Sequence, residues 1–148
     1  MEIPNIPLNN NLKIPQIGIG TWQLSGQECT ETIKKALELG YRHIDTAEMY
    51  AAGHSEELVG RAAKKFNRED LIIASKVTDA HLRHEDVLKA AEESLKRLDM
   101  DYLDLYYIHS PNPDISLKET MGALDKLVEN GLVKNSAVSN FSTDLLIE

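Results

Sequence analysis

The chain has 148 residues, 42% hydrophobic and 27% charged, the balance of one soluble globular domain over 1–148 rather than of a disordered or fibrous chain. Its formal net charge of −8 argues against non-specific nucleic-acid binding, which depends on many Lys and Arg contacts to phosphates. A single cysteine, Cys29, precludes an internal disulfide, no segment approaches the ~20 apolar residues of a membrane helix, and MEIPNIPLNNN lacks the basic start of a signal peptide, so a cytoplasmic protein without a membrane partner is expected.

Taken in chain order, IPL and LKIPQIG flank Asn9, Asn10 and Asn11 and predict a hairpin, because Asn tolerates a left-handed turn. QIGIGT (16–21) predicts a strand. Residues 28–39 place Ile33, Ala36 and Leu37 at helical spacing, with Gly40 where a helix-ending glycine belongs. YRHID (41–45) reads as a strand, and 55–66 as a helix with Ser55 as its N-cap and two glutamates in its first turn. LIIASKV (71–77) is rich in β-formers. The helix over 85–98 carries Val87, Leu88, Ala91, Leu95 and Leu98 on one stripe. YLDLYYIH (102–109) predicts a strand, and 116–130 a helix opened by a capping box of Ser116 and Glu119 and stopped at Gly131. A last strand is expected over 133–141, with TDLLIE beginning a further helix.

A hairpin followed by four strand–helix units and a fifth strand implies right-handed crossovers and a parallel sheet. Two α/β architectures compete: an open doubly wound sheet and part of a (β/α)8 TIM barrel. Three successive strands finish on an ionisable residue: Asp45, Lys76 and His109. In parallel folds the carboxyl ends of the strands converge on one crevice, and neighbouring strands lie about 4.8 Å apart. These three side chains, with Tyr50 reaching back from its loop, are therefore expected to gather. Singly, each has a plain structural explanation; their occurrence in step favours a site.

The four groups also make one chemical device. A phenol, with a pKa of about 10, is a poor acid at neutral pH, and a nearby ammonium brings it toward the working range. A carboxylate beside the lysine fixes it, and a histidine can orient a substrate oxygen. None of the four is a strong nucleophile. The set suits protonation of a carbonyl oxygen while hydride reaches its carbon.

GIGTW (18–22), GYRHIDTAEMY (40–50), LIIASKV (71–77), LDLYYIHSP (103–111) and AVSNF (137–141), in this order, resemble the aldo-keto reductases along essentially the whole chain. The resemblance implies NAD(P)H-dependent reduction of a small aldehyde or ketone, with Tyr50 the proton donor, Lys76 and Asp45 tuning it, and His109 orienting the substrate. It places Thr21, Trp22, Asp45, Ser139 and Asn140 along the nicotinamide end of NADPH, NADH being the alternative cofactor. It further implies a TIM barrel, closed at the bottom by the hairpin.

Ser136 and Ala137 stand where the family strand has an apolar residue and a glycine, and Ser110 where many members have tryptophan. A complete barrel needs about 250 residues. The expected fold is therefore an incomplete barrel of a hairpin and about four and a half βα units, and the resemblance implies that the absent half carries the basic residues that grip the adenosine 2′-phosphate. Its open edges invite self-association. A truncated, non-catalytic half-barrel or interaction module is the alternative function. A Rossmann reading of GIG (18–20) fails at Gln23, where the third glycine is required, and leaves Lys76 and His109 idle. His81 and His84 have no third ligand in view, and no metal site is expected.

Overall fold

A computed structural model describes residues 3–8 and 12–147. The hairpin forms as β1 (Asn5–Pro7) antiparallel to β2 (Lys13–Pro15); its expected turn at 9–11 lies outside the described residues. A separate parallel sheet follows, built from β3 (Ile19–Gly20), β4 (His43–Asp45), β5 (Ile72–Val77), β6 (Leu105–Ile108) and β7 (Ser136–Val138), in that spatial order. Between them run α1 (Gly26–Glu38), α2 (His54–Ala63), α3 (His84–Leu98) and α4 (Leu117–Glu129), and α5 (Thr143–Ile147) follows β7. Sequential strand order with a helix in each crossover is the start of a (β/α)8 barrel, not of a doubly wound sheet, whose strand order reverses.

The strands are shorter than their apolar runs. Only Ile19 and Gly20 of 16–21 form a strand, β4 keeps the last three residues of 41–45, and β6 and β7 occupy only the inner parts of their predicted spans, because a ladder extends only as far as its neighbour can meet it. Beyond the strand ends single bonds continue the pairing: Thr21 N–H donates to Asp45 O, Thr46 to Ala74 O, Glu48 to Lys76 O, His109 to Val77 O and Ser139 to Ile108 O. This stepwise hooking fixes the carboxyl rim of the sheet.

Side chains on a strand alternate between faces. Ile44, Ile73, Val77, Tyr106 and Ile108 join Ile33, Leu37, Leu58, Val59, Leu98 and Leu124 of the helices in one buried cluster. Their neighbours Asp45, Lys76 and His109 are thereby turned to the other face. Gly40 and Gly131 take φ of 101° and 74° after α1 and α4, the left-handed conformation that ends a helix where glycine has no Cβ to clash.

Two predicted caps are not formed. Ser55 is not the N-cap of α2; Gly53 is, and the Ser55 hydroxyl is drawn inward to Thr21 and Thr46. The capping box of α4 is also absent. Ser116 makes no side-chain cap, and Glu119 Oε1 accepts from the backbone N–H of His84 at 3.0 Å, so the carboxylate serves the start of α3. Both corrections have one cause: a tertiary partner, buried for Ser55 and part-buried for Glu119, outcompetes a local one. Leu88 is only half-buried and lies at the margin of the α3 stripe. Ser136 and Ala137 pair in register with Tyr106 and Tyr107, so neither departure interrupts β7.

Candidate functional site

Asp45 is the last residue of β4 and Lys76 the penultimate residue of β5, while His109 directly follows β6. Asp45 is paired across the ladder with Ala74, two residues short of Lys76, and the long lysine side chain makes up the offset. Lys76 Nζ, 9% exposed in its side chain, donates to Asp45 Oδ2 at 2.7 Å, to Thr46 O at 2.8 Å and to Tyr50 Oη at 3.2 Å. An ammonium has three donors, and here each has an acceptor.

Tyr50 opens a 3-10 turn (Tyr50–Gly53) in which Ala51, Ala52 and Gly53 have φ of 50°, 53° and 88°. Left-handed alanine costs roughly 1–2 kcal/mol per residue. The turn brings the phenol back over the strand ends. Its ring lies 4.9 Å from that of Trp22 and 5.7 Å, edge-on at 78°, from that of His109. Tyr50 is nearly buried, whereas Trp22 is 58% exposed. An open cavity of about 380 Å³ lies over this group, lined by Trp22, Tyr50, Asp79, His109 and Ser110 among others. A larger groove of about 850 Å³, between α4 and the loop before it, touches none of Asp45, Tyr50, Lys76 or His109.

The residues assigned to the cofactor side divide in two. Ser139 and Asn140 follow β7 at the rim, where Asn140 Nδ2 donates to His109 O at 2.8 Å. This bond leaves the amide oxygen of the exposed Asn140 to meet an incoming donor. Thr21 is instead wholly buried. Ser55 donates to Thr21 Oγ1 at 2.7 Å, Thr21 donates to Thr46 Oγ1 at 3.0 Å, and Thr46 and Ser55 hydroxyls lie 3.0 Å apart. This closed ring of three hydroxyls sits behind the Asp45–Thr46 step. The sequence reading passed over Thr46 and took Ser55 only for a helix cap; a hydroxyl residue directly beside Asp45 was the available signal.

Burial lowers the pKa of His109, and the Lys76 ammonium lowers it further, against the opposing pull of Asp45, Asp79 and Glu48. His43, lower on the inner face, is also lowered, chiefly by burial. Both imidazoles are therefore neutral at pH 7. A histidine whose folded pKa lies below its unfolded value of about 6.5 takes up its proton more readily when unfolded. Stability is then complete above pH ~6.5 and falls as pH drops through that value toward the folded pKa. The urea midpoint is expected to be lower at pH 5.5 than at pH 7.5, with the drop reduced in His43→Asn. An unchanged midpoint would remove both histidines from the acid response.

His81 lies 3.1 Å from Glu48 Oε1 and His84 lies 3.0 Å from Glu85 Oε1, each as a separate pair. Among the described residues no group of three or more ligating side chains is placed to hold a metal, and no helix is long and apolar enough to cross a membrane.

The family model of the aldo/keto reductases matches residues 16–148. Glyoxal reductase of Bacillus subtilis is 42% identical over 146 residues, which cover 97% of this chain and 51% of that protein. Methylglyoxal reductase DkgA of Escherichia coli is 43% identical over 140 residues, covering 92% and 49%. Among solved structures, the thermostable aldo-keto reductase Tm1743 in complex with epalrestat superposes with a TM-score of 0.94 at 46% identity, covering 98% of this chain and 57% of that one. The Klebsiella pneumoniae aldo-keto reductase in complex with NADPH gives 0.88 at 36% identity, covering 99% and 53%. The chain spans about half the length of the curated relatives it matches.

Proposed function

Because the chain belongs to the aldo/keto reductase family, we propose that its rim performs NADPH-dependent reduction of a small aldehyde or ketone. The single observation that carries this reading is the three-way contact of Lys76 Nζ with Asp45, Thr46 and Tyr50 Oη. A phenol held against an ammonium is suited to giving up a proton, and the open cavity that Tyr50 lines gives a carbonyl oxygen access to it.

The residues fit the cofactor named for the Klebsiella relative. An exposed indole, Trp22, offers a flat face beside Tyr50. Ser139 and Asn140 offer a hydroxyl and an amide oxygen across the rim, suited to a carboxamide. NADPH, when bound, supplies the hydride. Tyr50 Oη donates its proton to the carbonyl oxygen, and Lys76 stabilises the phenolate left behind. Asp45 accepts from Lys76 and holds it in place. Neutral His109, with one ring nitrogen able to donate, orients the substrate oxygen toward Tyr50. Small α-dicarbonyls, the compounds named for the Bacillus and Escherichia relatives, are the substrates to try first.

The test is titration of Trp22, the chain's single tryptophan, with NADPH. Saturable quenching, followed by NADPH consumption on addition of methylglyoxal, is the expected result. No saturable signal would favour a non-catalytic module that keeps the family fold.

A further inference from the structure

We propose that Glu56, with Arg97 as its counter-ion, is a positioning residue that sets the Tyr50 phenol against the Lys76 ammonium. Glu56 lies in the first turn of α2 and its side chain is wholly buried. One carboxylate oxygen accepts from the Ser75 hydroxyl at 2.5 Å, and Ser75 is the residue before Lys76 on β5. The other accepts from Arg97 Nε at 2.6 Å. Arg97, on α3, supports the turn that carries Tyr50: a Cβ placed on Gly53 would come within 2.7 Å of Arg97 Cδ and 2.8 Å of Nε. One carboxylate thus ties the strand of the lysine to the arginine that braces the turn of the tyrosine.

That turn needs bracing. Three consecutive left-handed residues separate Tyr50 from α2, and backbone of this kind persists only where its surroundings over-determine it. Locally Ala51 and Ala52 have only weak backbone bonds, Ala52 N–H to Met49 O at 3.4 Å and His54 N–H to Ala51 O, so packing at Gly53 and at the start of α2 is needed to complete the restraint. Fold stability alone is a weak reason for this ion pair, because apolar groups of similar volume commonly serve a buried site as well or better. A hydrogen-bonded pair has what an apolar plug lacks, which is a fixed direction at each end. Arg97 also donates to Ser94 Oγ at 3.1 Å, which holds the guanidinium on its own helix and leaves Nε aimed at Glu56.

The proposal rests on the reductase reading for its rate measurement and is independent of it for its structural one. Glu56→Gln is expected to lower kcat on the order of 100-fold, as for reacting groups displaced by about 1 Å, with KM and the NADPH quenching of Trp22 unchanged. The double variant Glu56→Gln/Arg97→Met removes the unpaired cation and keeps an apolar stem under Gly53. Its urea midpoint is expected to recover while kcat stays low. Recovery of kcat together with stability would overturn the proposal, because the pair would then act only through the fold. Should Glu56→Gln not fold, Ser75→Ala cuts the Lys76 end alone and is expected to lower kcat about 10-fold with the same unchanged KM. Independently of turnover, the Tyr50 ring resonances, assigned through Tyr50→Phe, should be sharp in the parent and exchange-broadened in the double variant. Sharp resonances at unchanged shifts in both would also overturn it. A parent that binds NADPH but reduces no carbonyl would defeat the reductase reading and leave the resonance result to decide this one.

Discussion

Replacing Tyr50 by phenylalanine is expected to cut carbonyl reduction by about 10²–10⁴, the range that a positioned general acid contributes, while leaving NADPH binding intact. The two effects separate because the ring and the hydroxyl do different things. The ring packs against Trp22 and His109, and phenylalanine retains both contacts. The hydroxyl hydrogen-bonds Lys76 Nζ, while the ring also faces that ammonium at 4.9 Å, a contact phenylalanine keeps. Without it, Lys76 still donates to Asp45 and to Thr46 O but its third N–H loses an acceptor, so the fold should lose about 1–2 kcal/mol. The measurements are kcat and KM with methylglyoxal, the NADPH quenching curve of Trp22, and the urea midpoint. Quenching that vanished with the rate would mean that the phenol binds rather than reacts. Retained turnover would take the proton-donor role from Tyr50.

Lys76, Asp45 and His109 were legible as a group because each ends an apolar run. In a parallel sheet every such run delivers its last residue to the same rim. Tyr50 was legible by its place in the loop directly after Asp45, although nothing in YAAG marks a left-handed turn. Two alanines with positive φ are invisible to a pattern that looks for glycine. The caps fared worst for a related reason. Ser55 and Glu119 occupy good capping positions by local rules, and both found tertiary partners elsewhere, Thr21 with Thr46 in one case and the His84 N–H in the other. The Glu56–Arg97 pair left no trace at all. Each looks like an ordinary surface charge on an amphipathic helix, and the two lie 41 residues apart in the chain. What the pattern cannot reveal is which charges face inward, since that is fixed only when α2 and α3 dock.

That docking gives the largest expected change in stability. Gly60 lies in the interior of α2, where helix propensity predicts that alanine should stabilise by about 1 kcal/mol. The packing predicts the reverse. A Cβ at Gly60 would come to 2.2 Å from Leu98 O and 2.8 Å from Leu98 C, backbone atoms at the end of α3 that cannot rotate away. Relief requires α2 and α3 to move apart, which opens the buried cluster shared by Leu58, Val59, Leu95 and Leu98. Overpacking that the core cannot absorb costs about 3 kcal/mol, well above the propensity gain, and for a chain of this length lowers Tm on the order of 10 °C. Gly122 is the internal control. It lies inside α4, nothing stands within 4 Å of its added Cβ, and Gly122→Ala should raise Tm by a few degrees. The same chemical change is thus expected to act with opposite sign on two helices, read by thermal unfolding of each variant. If Gly60→Ala also raised Tm, the close α2–α3 contact would not be the restraint it is taken to be, and the bracing of the Tyr50 turn through Arg97 would lose its foundation.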